Sequence, residues 1–404
     1  MNISNLCIDI KKYFSDKKTD FGENLFNEVK KETINFSKNL TFFDLKNKID
    51  DDYLDFILYF YCQHNKNLFF IIVWPVTYNF DQIIKDCYNQ YGNIIFKKEI
   101  KLNDNGITNI LKLISNKATH PKGKELWFAE PHRTINPLTI YLFETKKNDV
   151  KENEIFDYLV QIFNNNKDYI SNIQKSEGLN NLYCTTKVKR ECRELLKNNN
   201  CVSPISFAPD KNYSHHVNDE HWETIEMSRV FFNNNTLNYF NNIRYNSLPL
   251  FSNKFNLFLN FLKNNSIILD NILIYNSSVL APFGLREPSD IDFIQGGENF
   301  INQNKLPNDI DIQNKYFKRG FMILETESKS TYMEDNEFFM INEPIDSLKF
   351  KWTLSLDDII YNPKNYFFYK NIKFMDLIIF KKVKNIRNRL KDLEQIKILE
   401  KNNF

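Results

Sequence analysis

The chain has 404 residues, of which 42% are hydrophobic, 15% aromatic and 26% charged. With 37 Phe and 20 Tyr it can bury a large core, which excludes global disorder, and its length predicts two domains. A net charge of +2, from 53 basic and 51 acidic residues, leaves no strong nucleic-acid signature.

Helical spacing runs through residues 20–62, where Leu25, Val29, Ile34 and Phe36, then Phe43, Leu45 and Ile49, recur among Lys and Glu. LFFIIVWPV (68–76) is short, continuous and β-rich, which predicts a buried central strand. FDQIIKDCYNQYG (80–92) predicts a helix closed by Gly92. NIIFKKEIKL (93–102) alternates as a strand, NGITNILKLISNK (105–117) returns to helix, and ELWFAE and LTIYLFE (138–144) predict strands. This alternation predicts an α/β domain.

Between 151 and 250, EIFDYLVQIFNNN, KVKRECRELLKNNN and ETIEMSRVFFNN predict helices, and VSPISFAP a strand. A fresh pattern begins near 251. KFNLFLNFLKNN (254–265) predicts a helix, DNILIYNSSVLAPFGLREPSDIDFIQ (270–295) strand, turn, loop and strand, and RGFMILETE (319–327) another strand. The aromatic run in NPKNYFFY (362–369) reads as core after an Asn-Pro turn. Residues 372–402 predict one long amphipathic helix. The expected domains are therefore 1–250, an α/β domain for binding the acceptor, and 251–404, a mixed sheet with helices, so that the chain is α+β overall.

Only 9 Gly are present, and neither GxGxxG nor GxxxxGK[ST] occurs, which excludes dinucleotide and P-loop fingerprints. The six Cys, at 7, 62, 87, 184, 192 and 201, form no CxxC and no zinc spacing with His. With no basic, apolar leader at the N-terminus and no apolar run long enough to span a bilayer, a cytoplasmic protein without membrane insertion is expected.

The stretch that carries chemistry is Asn276-Ser277-Ser278-Val279 through Ser289-Asp290-Ile291-Asp292-Phe293-Ile294. On a strand, Asp290 and Asp292 project to one face while Ile291 and Phe293 enter the core. Two same-facing carboxylates repel unless a divalent cation lies between them, and an oxygen-only donor set suits Mg²⁺. Small residues after the preceding strand let backbone N–H groups and a hydroxyl approach a phosphate.

These residues resemble the DNA polymerase β-like nucleotidyltransferase superfamily, whose pattern is an apolar strand, Gly followed by Gly or Ser, about ten residues, then Asp-x-Asp. Here ILIY leads into Ser277-Ser278, residues 279–289 intervene, and Asp290-Ile291-Asp292 comes next; Ser277 stands where that family has Gly. The resemblance covers residues 254 to the end. It implies a third carboxylate on a neighbouring strand, for which Asp311, Glu325 and Glu327 are candidates and Asp311 is preferred. It also implies a basic C-terminal helix, matched by Lys384, Arg387, Arg389, Lys391 and Asp392. Residues 381–404 hold eight basic and three acidic residues, and such a helix suits a triphosphate.

The implied activity is Mg²⁺- or Mn²⁺-dependent nucleotidyl or phosphoryl transfer from a nucleoside triphosphate or other nucleotide donor. Asp290, Asp292 and Asp311 would hold the metal. Ser277, Ser278, Arg286, Arg387 and Lys391 would hold the nucleotide. The alternatives are a nucleotide-sugar-dependent glycosyltransferase of surface polysaccharide assembly, and a degenerate, non-catalytic binding module of the same fold.

A second cluster, Tyr213-Ser214-His215-His216-Val217-Asn218-Asp219-Glu220-His221, holds three of the 6 His. It reads first as a turn with exposed His, with Asp219 as an N-cap. The sharper reading makes His216, Asp219 and His221 a substrate or phosphate contact in the N-terminal domain. The polar loop Glu130-Pro131-His132-Arg133-Thr134 reads as a plain connection between strands.

Overall fold

The computed structural model describes residues 3–15, 17, 19–35, 40–115, 137–176, 178–201, 215–243, 248–297, 306, 310–312, 321–325, 330–333, 349–354, 356–387, 389–402 and 404. The expected strands ELWFAE and VSPISFAP, the 130–134 loop and Glu327 lie outside these. The chain is α+β and divides into two compact units. One holds residues 1–3 and 36–232, the other Ser4–Asn35 and Asn233–Phe404.

The chain opens on helices α1 (Ile3–Phe14) and α2 (Asp20–Asn35). Apart from its first residue, this pair belongs to the second unit. There the Tyr13 ring meets Tyr361 edge-on at 6.3 Å, and the Lys17 ammonium lies over both rings at 3.2 and 4.4 Å. The break between units falls at Phe232, not near 250. An apolar helical stripe does not say which core it joins, so the spacing over 20–62 could not separate α2 from the helices of the first unit.

In the first unit, α3 (Phe42–Leu45) and α4 (Asp51–His64) lead into strand β1 (Leu68–Val73). Then come α5 (Asp81–Asn89), β2 (Gly92–Ile100), α6 (Asp104–Ser115) and β3 (Leu138–Thr145). Helices α7 (Glu152–Ile162), α8 (Lys167–Ser176) and α9 (Leu179–Asn198), strand β4 (His215–Val217) and α10 (His221–Phe231) complete it. The sheet order is β2-β3-β1-β4, antiparallel throughout.

β1 is central and buried along its whole length, as its unbroken apolar run predicts. Strand alternation splits it between two helical layers. Phe69, Ile71 and Val73 pack with Ile84, Cys87 and Tyr88 of α5 and Val188 and Cys192 of α9. Phe70 meets Phe231 and Phe232 at 5.3 and 5.5 Å. Gly92 does not cap α5 but opens β2. A Cβ there would lie 2.3 Å from the Glu144 carbonyl oxygen, so close strand approach requires glycine.

The second unit continues with α11 (Asn234–Asn242), α12 (Pro249–Asn264), β5 (Ile272–Ile274), β6 (Ile291–Gln295) and β7 (Ile310–Ile312). Strands β8 (Phe321–Glu325), β9 (Ser330–Met333) and β10 (Lys349–Leu354) form a separate sheet, order β10-β8-β9. Next come α13 (Leu356–Tyr361), β11 (Tyr366–Tyr369), β12 (Ile372–Met375), α14 (Leu377–Arg387) and α15 (Leu390–Lys401). The main sheet runs β11-β12-β5-β6-β7. Its β12–β5 and β6–β7 pairs are parallel, and its β11–β12 and β5–β6 pairs antiparallel. Phe255 and Phe258 of α12 pack on Phe374 and Phe293 at 5.7 and 5.0 Å. The buried Tyr366–Phe368 run is core, as expected.

The single terminal helix expected over 372–402 is replaced by a strand and two helices. Residues 372–375 pair with β11 and β5, and tertiary strand pairing overrides their helical spacing. The Asp376 carboxylate accepts from Ile378 N at 2.8 Å and starts α14.

In the first unit, Asn218 latches β1 to α10. Its Oδ1 accepts from Phe70 N at 2.7 Å, and its Nδ2 donates to Glu220 O at 2.9 Å and to Thr224 Oγ1 at 2.8 Å. Thr224 in turn donates to Leu68 O at 2.7 Å. Replacing Asn218 with Leu strands buried groups at both ends, so Asn218→Leu is expected to lower unfolding stability by roughly 2 kcal/mol or more in urea titration.

Candidate functional site

Strand β6 is I-D-F-I-Q. Ile291 and Phe293 are fully buried, and between them Asp292 is only 4% exposed. A carboxylate that deep in a strand needs partners. Asn276, in the turn after β5, donates from Nδ2 to Asp292 Oδ2 at 2.8 Å. Tyr275 N donates to the Asp292 carbonyl at 3.0 Å, and Ser278 Oγ to the Asp290 carbonyl at 2.9 Å. Asp290 is half-buried just before the strand, and Ser289 Oγ donates to its Oδ1 at 2.9 Å. The turn after β5 thus grips the Asp-x-Asp backbone at two points.

β7 runs parallel to β6 with Asp311 as the register partner of Asp292, between Ile291↔Ile310 and Phe293↔Ile312. Register partners on adjacent strands share a face of the sheet. Glu325 lies on β8, in the other sheet. Among the described residues, no group of three His, Cys, Asp or Glu residues has metal-holding geometry. The side chain of Asp311 lies outside the described ones.

Behind Asp292 lies a second layer. Lys384 of α14 donates from Nζ to Asn276 Oδ1 at 2.6 Å and to Asp392 Oδ1 at 2.9 Å. Arg389 Nε donates to Asp392 Oδ2 at 2.7 Å. Lys384 is 1% exposed and Asp392 fully buried. Burial pulls the Lys384 ammonium below its usual range, and the Asp392 carboxylate opposes that shift. Burial alone would raise Asp392, but hydrogen bonds from Arg389 and Lys384 outweigh it and hold the carboxyl below its ordinary value.

The other expected site residues take different places. Ser278 is fully buried, and its hydroxyl holds the Asp290 backbone instead of facing a phosphate. Ser277 and Arg286 are half-buried, and Lys391 is exposed on α15. Arg387 ends α14, with its side chain outside the described ones. Ser277 does not need the glycine of the resemblance. The left-handed residue of this turn is Asn276, at φ 58°, a conformation that Asn accepts more readily than most residues. The sequence points to Asn276, Lys384 and Asp392 separately, but not to the bonds that join them. An Asn between an apolar strand and two serines was the available signal.

The histidine cluster is a structural joint in the first unit, not a row of exposed imidazoles. His215 is buried, with Nε2 2.8 Å from Tyr88 Oη. His221 is buried and donates from Nε2 to the Cys62 carbonyl at 2.9 Å. Asp219 pairs with Lys189, and the N-cap of α10 is Glu220, in a capping box with Glu223. His216 sits opposite Ile72 in the β1–β4 pairing. The chain folds this way because β4 must pair with buried β1, which carries alternate residues of the cluster inward.

No protein-family model, curated protein or solved structure matches the chain.

These burials have measurable consequences. Lys384→Met leaves a buried carboxylate short of a partner and should lower stability by about 3–5 kcal/mol, with partial recovery in Lys384→Met/Asp392→Leu, both read by chemical denaturation. His215 is held neutral, well below its ordinary pKa of 6.5, first by desolvation and then by the cations Arg193 and Lys189. The unfolded state takes up a proton that the native state refuses, so His215 makes stability fall as pH drops below about 6.5. His215→Gln should flatten that component of the stability profile, measured by denaturation between roughly pH 5 and 7.

Proposed function

We propose that the second unit carries a metal-dependent nucleotidyl- or phosphoryl-transferase centre. The observation that supports this most is the register of β6 and β7, with Asp292 opposite Asp311 and Asp290 two residues earlier in the chain. The donor set is all oxygen, which fits Mg²⁺ or Mn²⁺ and disfavours softer metals. Asp290, Asp292 and Asp311 would hold the ion, which when bound supplies Lewis-acid stabilisation of phosphoryl oxygens.

The remaining chemistry belongs to the chain. Arg286, Arg387 and Lys391 supply positive charge for the phosphates of a nucleotide donor. The turn at Asn276–Ser277 would offer backbone N–H groups to a phosphate. The buried hydrogen bond from Asn276 orients the Asp292 carboxylate. The first unit would bind the acceptor. The six cysteines are thiols, not disulfides, which suits a reducing compartment such as the cytoplasm. No helix among the described residues is long and apolar enough to cross a membrane.

Thermal shift and calorimetry on the full chain test the reading. A Mg²⁺–nucleoside triphosphate should stabilise the protein by about 2.7 kcal/mol when present at a hundred times its Kd. Asp290→Asn and Asp292→Asn should abolish that stabilisation and any Mg²⁺-dependent turnover without unfolding the chain. Full activity in both variants would remove the acids from the site. Stabilisation by nucleotide-sugars alone would move the reading to glycosyl transfer. Binding without turnover in the unaltered chain would move it to a non-catalytic module.

A further inference from the structure

We infer, on the reading of Asp292 as a metal ligand, that Asn276 and Lys384 are positioning residues for that carboxylate and that the terminal helices α14 and α15 thereby set its orientation. The chain of contacts is Arg389–Asp392–Lys384–Asn276–Asp292, drawn from α15, α14, the turn after β5, and β6.

Its direction is decided by donor and acceptor chemistry. An ammonium only donates, so the Asn276 oxygen faces Lys384 and its nitrogen faces the carboxylate. A cation on the oxygen side polarises the amide and strengthens its N–H as a donor. Asp392 holds the ammonium from the far side at 2.9 Å, and Arg389 anchors Asp392 from the protein surface. The carboxylate is therefore tied through Oδ2 and the Asn276 amide to a fixed positive charge.

Two features say that this arrangement serves more than packing. A fully buried Lys–Asp pair often stabilises a fold no better than apolar side chains of the same volume. And Asn276 holds a left-handed turn while committing both ends of its amide to the relay. Groups that orient a metal-binding carboxylate typically change metal affinity by about 10–100-fold when removed.

The test uses Mn²⁺ alone as the probe, titrated into the full chain by calorimetry and electron paramagnetic resonance. Asn276→Gly is the informative variant, because glycine accepts the positive φ and removes only the amide. It should weaken Mn²⁺ binding about 10–100-fold at a temperature where circular dichroism shows the variant fully folded. Lys384→Met should weaken binding in the same direction. The double variant should bind about as well as Asn276→Gly alone, because the lysine acts through the amide. Lys384→Arg should restore part of the affinity, and exposed Lys397→Ala should bind as the unaltered chain does. If Lys384→Met does not fold, the Asn276→Gly comparison decides by itself.

Two contrary outcomes are distinguishable. If Asp292→Asn abolishes Mn²⁺ binding while Asn276→Gly binds normally, the relay is only structural and the inference falls. If the unaltered chain and Asp292→Asn behave alike, Asp292 is not a ligand, and the reading beneath the inference falls with it.

Discussion

A one-residue slip of β6 against β7 would carry Asp292 to the face now held by Ile291 and Phe293, because strand side chains alternate with a period of two. The observed register prevents this by burying Ile291 and Phe293 completely, with the Phe293 ring 5.0 Å from Phe258 of α12. Everything of chemical interest in the second unit hangs on that choice. It sets Asp292 beside Asp311, and it lets the turn after β5 reach the Asp-x-Asp segment with the hydrogen bonds of Tyr275, Asn276 and Ser278.

The first unit solves a different problem with similar means. Its central strand is apolar on both faces and needs helices above and below. The polar groups at its exit are then buried and must be paired. Asn218, Thr224 and His221 do this, each bonding to backbone around β1 or the end of α4. Residues that read first as a turn with exposed His form the seam between a sheet and a helix.

Legibility differed by kind of signal. Periodicity located most helices and strands, including β1, β5 and β6, because local spacing reports which face is apolar. It failed over 372–402, where strand pairing with β5 and β11 outweighed an amphipathic pattern. It also failed to assign α1 and α2 to a unit, since that depends on contacts such as Tyr13 with Tyr361. In the candidate site the paired acids were legible from their spacing. Asn276, Lys384 and Asp392 as one relay were not, because Asn276 lies 108 residues from Lys384 and no local spacing joins them.

The sequence by itself determined the α+β class, the central apolar strand and the paired acids, of which the strand carries Asp292 while Asp290 falls just before it, since each arises from residues close in the chain. Only the tertiary structure decided that Asp311 is the register partner of Asp292, that Ser278 holds backbone, and that a buried lysine stands behind the carboxylate through an asparagine. Those relations arise from strand register and helix docking, which bring distant segments together and which no local pattern encodes.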